Sequence, residues 1–507
     1  MPEHIRALIV ILFLSTMFFA LAKKPASEII RSVDFARRRN LWLTITLTAF
    51  LSPNIWIYLL IAGSLIFFSR PHESNPVTLF FLLLFVVPSI SVEIPGMGLV
   101  NFLFHFSHQR LLILAILLPA YLALIGQKQT LKFGRIIPDK FIMGYMLLIG
   151  ILYFREESVT NALRQCFYLI TDIFLPYFVI SRTLKNLNDF RNALFSFVLA
   201  VMVMAPIAVF ENLNHWLLYQ ALEDAWGLDG LSASPFMSYL ERANMLRAIA
   251  SSGQPIVLGY VMAVALGFYL FLQQFIRSRL NQLLGFLGLL AGLLATLSRG
   301  PWVGALLIIV LFIATGRNAI RRLSLLILTG VITIAVIGFL PGGEKAVNLL
   351  PFIGETGKET ITYRERLLDN SIITFKRHPL FGSENYLEYP EMLEMMQGQG
   401  IIDIVNTYIG VALSSGLVGL LLFVGFFVTI CGNLYKSIRQ VPDKNCPEYL
   451  LGRALLATIF GIMFTIFTVS SISYIPIVYW SVAGIAVAYI NMIKRLQQEN
   501  KVQSFAS

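Results

Sequence analysis

Charge is what this sequence has least of. Only 13% of its 507 residues are Asp, Glu, Lys or Arg, against about 25% in an ordinary soluble domain, so there is too little polar surface to face water on all sides. Soluble enzymes, nucleic-acid modules and disordered tails are excluded on that ground. Cysteine is nearly absent: Cys166 sits in an apolar run, and Cys431 and Cys446 lie at basic turns, a distribution that builds no disulfide framework. The histidines are few and scattered, and His105 and His108 have no carboxylate motif beside them, so metal-ligand spacing is missing. The sequence also lacks a Walker loop, a GxSxG motif, an internal repeat and a low-complexity tract.

What it has is hydrophobic length. Apolar residues make up 57% of the chain, gathered in runs of about 15 to 25, each close to what crosses a bilayer core as a helix. The runs lie at 5–22, 41–68, 77–91, 109–126, 141–154, 164–180, 192–210, 255–275, 282–297, 300–316, 323–340, 403–430, 451–470 and 474–491. They predict an all-α polytopic membrane protein with about 14 transmembrane helices. The net charge is +11, and more than half of the 39 Lys and Arg fall in alternate short turns at 23–39, 128–140, 182–191, 317–322, 436–444 and the tail from 494. That alternation marks cytoplasmic loops and argues for no nucleic acid. The run 41–68, interrupted at Ser52-Pro53-Asn54, is one long kinked helix, two short crossings or a re-entrant pair; if the basic stretch before it and the Arg70 turn after it are both cytoplasmic, it has to enter the membrane and return. The run 5–22 has no small-residue cleavage site and is followed by Lys23-Lys24, so it reads as a retained helix.

Two long segments remain on the opposite face, 211–254 and 341–402, while other connections are tight. Loops longer than connectivity needs are where chemistry is expected. The chain therefore divides into N-terminal helices with a first outer loop (1–254, loop 211–254), helices with a Ser-Arg-Gly corner (255–340), the large outer loop (341–402), C-terminal helices (403–491) and a cytoplasmic tail (492–507).

Several charged residues have no topological reason for their positions. Arg299 stands in Ala295-Thr-Leu-Ser-Arg-Gly-Pro-Trp-Val-Gly304, at the outer boundary between two spans. Gly300 and Pro301 suit a helix start, whose free N–H groups together with a guanidinium favour an anion; the plain alternative is an arginine snorkelling to lipid headgroups. In the large loop, 361–377 reads as a short amphipathic helix with Arg364, Leu368, Ile372 and Phe375 on one face and Arg366 turned toward Asp369 and Asn370. Arg366 has an ordinary surface salt bridge, whereas Arg364 on an apolar face calls for an anionic partner. His378, at the break His378-Pro379-Leu-Phe-Gly382, is either a general base with its pKa lowered by nearby cations or a helix C-terminal histidine. Asp403 and Asn406, followed by Tyr408, share a helix face at the head of the next span, as substrate groups or as caps. Arg247 precedes Ser251-Ser-Gly-Gln-Pro255; it is a better candidate than Glu241 or Arg242, with a solvated loop arginine as the alternative. Asp172 is the carboxylate near the middle of a span, and such groups are functional by default.

Taken in order, Ser298-Arg299-Gly300, the Arg364 to Leu368 helix, His378-Pro379-Leu-Phe-Gly382, and Asn406-Thr-Tyr-Ile-Gly with Ser414-Ser-Gly-Leu-Val-Gly-Leu-Leu-Leu-Phe423 resemble the O-antigen ligase and Wzy-type polysaccharide polymerase superfamily, over 296 to roughly 490. The resemblance implies a GT-C-like, metal-independent glycosyltransferase of the bacterial inner membrane, without cofactor. It implies an active face in the periplasm and undecaprenyl-diphosphate-linked glycan as substrate, with membrane lipid and other polysaccharide assembly proteins as partners. Ligases of the family carry a His-Asn pair where this chain has Val405-Asn406. That departure favours an exopolysaccharide-type polymerase over a ligase and leaves His378 or Asp403 as the base. On this reading Arg299 and Arg364 bind diphosphate, Arg247 binds a second phosphate or sugar acid, and Arg366, Asn406 and Tyr408 line the substrate. A flippase of lipid-linked sugars is the competing class; it would show internal repeats and charges along a central cavity.

Overall fold

In lipid every backbone N–H and C=O must be paired within the protein, and long apolar runs therefore become helices. The computed structural model describes residues 1–506 apart from 74, 99, 156–157, 229–239, 243, 340–347, 351–357 and 398–399, and apart from the side chains of 337, 358–360 and 500–506. Parts of both predicted outer loops thus lie outside the described residues. Among those described, ten helices are long and apolar enough to cross a membrane, and Arg279–Ala295 and Arg299–Ala314 are shorter apolar helices. Strand is confined to two small hairpins, 91–95 with 102–107 and 241–242 with 245–246. The fold is all-α and polytopic.

The expected spans differ in four places, three of them in the first half of the chain. The run 41–68 is two helices, Ser32–Leu51 and Ile55–Ser69, separated where Asn54 caps the second by accepting from the Ile57 N–H, so the chain does enter and return. The run 77–91 is helical only over Pro76–Leu83 before it gives way to the 91–95 strand. Ile137–Leu152 reaches only 16 residues, about 24 Å of helix, short of a full bilayer core. Apolar composition alone overstated the count of long spans because it does not register where the backbone breaks.

Side-chain contacts sort the turns into two ends of the bundle. At one end Trp216 donates to Glu3 (3.1 Å), Trp226 donates to the Ser52 carbonyl (3.1 Å), and Arg155 reaches the carbonyls of Phe381 and Gly382 (both 3.1 Å). At the other end the Arg277 N–H meets Glu28 (2.7 Å) and Arg317 meets Asn445 (3.3 Å), and here the basic turns gather. Two ion pairs are buried in the bundle: Arg182 with Asp139, which also accepts from Tyr177 (2.7 Å), and Arg38 with Glu73 (3.1 Å). Asp172 is likewise paired, with Arg110 at 2.9 Å, so an ion pair accounts for it.

The Thr407–Arg439 helix is not the single straight span expected over 403–430. At Gly416 the backbone leaves the helix (φ 66°, ψ −166°), and the rings of Tyr408 and Phe423 lie 5.9 Å apart. Fifteen residues of straight helix would separate them by about 22 Å, so the chain doubles back at Gly416. The break frees backbone groups, and the 379–383 segment takes them up: Leu417 N–H donates to Pro379 O (2.8 Å), Val418 N–H to Leu380 O (3.2 Å), and Ser383 N–H to Leu413 O (2.9 Å). The Pro-Leu-Phe-Gly motif is thereby docked into a broken helix. A small separate core of Leu367, Met392, Met395 and Leu413 ties the large loop to the folded-back segment.

Candidate functional site

The site is built around two short connections at the charge-poor end, 296–298 and 467–473. In the first, Leu297 adopts φ 48°, an uncommon conformation for a branched side chain. Two arginines from the first outer loop hold this corner. Arg247 donates to Thr296 O (3.4 Å) and Ser298 Oγ (3.0 Å), and Arg242 donates to Leu297 O (2.7 Å). Their segment is fixed in turn by Glu211, a fully buried carboxylate that accepts the N–H groups of Leu218, Ile249 and Ala250 at 3.1, 3.0 and 2.8 Å. Arg247 is 3% exposed, and its bonds go to the corner that carries Arg299.

Arg299 opens the Arg299–Ala314 helix and donates from Nε to Leu349 O and from Nη2 to Asn348 O, both at 3.0 Å. The next residue, Gly300, packs so tightly on the second connection that a Cβ there would lie 2.4 Å from Thr468 Oγ1. Arg364 approaches the same residue from the large loop and donates from Nη2 to Thr468 O at 2.9 Å. Arg364 and Gly300, the residue after Arg299, thus meet at one threonine. Burial draws the Arg364 guanidinium below the usual arginine range, partly offset by Asp403; it stays charged at any working pH. Its Nε is buried and has no hydrogen-bond partner among the described residues. An unsatisfied buried donor on a cation is costly without a ligand.

Asp403 lies beside Arg364. Its carboxylate accepts a short hydrogen bond from the Ser470 hydroxyl, and its carbonyl accepts from Tyr363 at 3.0 Å. Burial raises the carboxyl above the ordinary aspartate range, against the lowering effects of Ser470 and Arg364. The following residues fasten the segment to the same connection: Thr407 donates through N–H and Oγ1 to Val469 O at 3.1 and 3.0 Å.

The other expected site residues lie apart or are occupied. Asn406 is the helix cap, accepting from Tyr408 N–H and Ile409 N–H at 2.9 and 3.3 Å. Tyr408 points down the bundle to Met463 O (3.0 Å). Arg366 is exposed on the outside of the Lys358–Arg377 helix. His378 is exposed, stacked on Tyr389 at 6.2 Å, and stands about 21 Å along the helix axis from Arg364. The buried stripe of that helix is Leu367, Ser371 and Thr374, while Leu368 and Ile372 are exposed. The face predicted for Arg364 was therefore rotated by one residue, although Arg364 itself is part-buried. Sequence reasoning passed over Thr468 and Ser470; the polar run Thr468-Val-Ser-Ser-Ile-Ser473 between two apolar spans was the available signal. Among the described residues, His, Cys, Asp and Glu form no group of three that could hold a metal ion.

No curated protein matches the chain. Residues 284–424 match the family model described as O-Antigen ligase, a stretch that contains Arg299, Arg364, His378, Asp403 and Asn406. Proteins of that family are membrane glycosyltransferase-like ligases and polymerases acting on lipid-linked glycans. Over this segment, 284–424, the chain is similar to the O-antigen ligase family.

Proposed function

We propose that the protein polymerises glycan repeat units carried on a polyprenyl diphosphate, at the periplasmic face of the bacterial inner membrane. The observation that carries this reading is the Arg364 Nε, buried without a hydrogen-bond partner among the described residues beside a backbone-anchored Nη2, with the Arg299 corner packed on Thr468 through Gly300. Two fixed guanidinium groups match a diphosphate, whose negative charge grows as it leaves. Asp403 takes the proton of the acceptor hydroxyl; the hydroxyl oxygen bonds to the anomeric carbon, the bond from that carbon to the diphosphate oxygen breaks, and the lipid diphosphate departs with the electron pair. Arg247 acts as a positioning residue for Arg299. Arg366, Asn406 and Tyr408 contribute outside the reacting centre, and the fixed cations take the role of a metal ion.

The test is purified protein in bilayers with a defined lipid-diphosphate-linked repeat. Chain growth with release of lipid diphosphate, unchanged by EDTA, is expected, and Asp403→Asn abolishes it. Absence of transfer in the wild type defeats the reading; transfer to a lipid A acceptor in place of chain growth converts it to a ligase.

Asp403 also predicts a pH dependence. A base must be ionised, and burial raises its pKa, so the rate falls on the acid side of a midpoint above the ordinary aspartate value. The Ser470 hydroxyl stabilises the ionised form. Ser470→Ala therefore moves the acid limb of the kcat/KM profile to higher pH. An unmoved limb removes Asp403 from the role of base.

A further inference from the structure

Asparagine suits the interior of an apolar helix poorly, because its amide needs partners that hydrocarbon cannot supply. Two asparagines nevertheless stand in spanning helices near the end where the basic turns gather: Asn433 in Ile430-Cys-Gly-Asn-Leu434 of Thr407–Arg439, and Asn491 in Ala488-Tyr-Ile-Asn-Met492 of Tyr474–Ala506. Both are half-buried, and neither side chain has a hydrogen-bond partner among the described residues. They line one cavity of about 180 Å³, whose other polar lining residues are Arg135 and Lys494. Val487, Ile490, Asn491 and Lys494 follow i, i+3, i+4, i+7 spacing, so one face of the last helix supplies much of the wall.

Another wall is the turn ahead of the Ile137–Leu152 helix, and it is held rigidly. Asp139, buried and paired with Arg182, accepts the Gly134 N–H at 3.1 Å, and Arg182 Nε donates to Leu131 O at 3.4 Å. One buried ion pair thus pins the chain before and after Arg135. Ile137 beside it is 54% exposed on the first turn of its helix, which opens this side of the cavity to lipid. Arg135 belongs to the basic turn 128–140 and Lys494 opens the basic tail, and Gln497 of that tail donates to Gln440 of the turn 436–444 at 3.1 Å. Among the described residues the polar lining is two cations and two amides, with no carboxylate. Such a lining favours an anion rich in oxygen acceptors.

We infer that this cavity binds the phosphate of an anionic phospholipid from the leaflet at the basic end of the bundle. Arg135 and Lys494 neutralise the phosphate, Asn433 and Asn491 donate to its oxygens and accept from headgroup hydroxyls, and the acyl chains leave past Ile137. Basic pockets between transmembrane helices on the cytoplasmic side suit such headgroups. The volume, about that of six water molecules, admits a phosphate with its neighbouring atoms. A zwitterionic lipid carries the same phosphate, but its ammonium group would meet the two cations. Free inorganic phosphate shares the charge and gains nothing from the apolar side of the cavity.

The test uses the delipidated full chain in neutral detergent at physiological salt, titrated separately with short-chain phosphatidylglycerol, short-chain phosphatidylcholine and inorganic phosphate. The rise in melting temperature reports binding. Phosphatidylglycerol is expected to bind about tenfold more tightly than either of the others. Arg135→Ala and Lys494→Ala should each weaken it about fivefold, and Asn433→Leu, which fills the cavity and removes an amide, should abolish it. Arg279→Ala and Arg321→Ala, at exposed cations elsewhere on the basic end, should leave it unchanged. Equal weakening by all four alanine variants means a diffuse basic surface and overturns the site. Phosphatidylcholine or inorganic phosphate binding as tightly as phosphatidylglycerol overturns the assignment to an anionic lipid. Native mass spectrometry of protein taken from bilayers of mixed phosphatidylglycerol and phosphatidylcholine covers the case in which Asn433→Leu does not fold. Phosphatidylglycerol retained by the wild type and lost from the Arg135→Ala, Lys494→Ala double variant supports the site; retention unchanged in the double variant refutes it.

Discussion

Arg364→Gln is expected to slow glycan transfer about a hundredfold, equivalent to roughly 3 kcal/mol of lost transition-state stabilisation, while the protein still folds. Glutamine ends two atoms short of the guanidinium tip, so it gives up the bond to Thr468 O together with the charge and the Nε–H, which has no partner among the described residues. Arg364→Lys should not restore the rate, because an ammonium cannot bond Thr468 O and present a planar fork to a diphosphate at once. Arg299→Gln is expected to lose a similar factor, since its guanidinium is fixed by Asn348 O and Leu349 O beside the Gly300 contact with Thr468. Arg366→Gln, on the exposed face of the same helix, stays within about twofold of wild type. Initial rates of donor consumption in bilayers, with thermal unfolding as a folding control, provide the measurement. Full-speed transfer by Arg364→Gln and Arg299→Gln would remove the cationic mechanism.

Much of this site was readable before any coordinates. Arg299 and Arg364 stand out because an arginine on the face away from the basic turns has no topological purpose; Arg364 bonds Thr468 O, and Gly300 beside Arg299 packs on the same residue. Asp403 was legible as a carboxylate at a helix head, but its partner was not. Ser470 lies 67 residues further on, in a connection that looked merely tight. Arg247 was identifiable as anomalous, yet sequence could not show that its donors turn to the Thr296 carbonyl and the Ser298 hydroxyl. Of the two readings of His378, general base or helix C-terminal histidine, its exposed position at the end of the Lys358–Arg377 helix fits the second. A helix carries residues 14 positions apart to opposite ends, and the motif around His378 serves a different purpose. Hydropathy likewise placed the apolar runs but not the fold-back within 403–430, since a single glycine in an apolar stretch leaves no mark on an average.

That glycine supplies the second large expectation. Gly416 and Gly382 both adopt left-handed φ, 66° and 65°, and each faces the other segment's backbone. A Cβ at 416 would fall 2.3 Å from the carbonyl carbon and oxygen of Leu380, and one at 382 would fall 2.4 Å from Leu413 O. Main-chain atoms held by the bonds between 379–383 and 413–418 cannot rotate away as a side-chain tip would. Gly416→Ala and Gly382→Ala therefore each combine overpacking with an unfavourable φ, and each is expected to cost about 3 kcal/mol or more. Undocking the 379–383 segment leaves the N–H groups of Leu417 and Val418 unpaired near lipid, adding to the loss. It also loosens the fold-back that presents Asp403 to Ser470, so activity falls together with stability. Gly410→Ala is the control: its nearest neighbour would be Ile404 Cγ2 at 3.7 Å, ordinary contact in a helix where alanine is favoured by up to about 1 kcal/mol. Thermal unfolding of the solubilised protein and proteolysis of the large loop should separate the two alanine variants from this control. Wild-type melting and turnover in Gly416→Ala would mean that the break in the helix is not what builds the site.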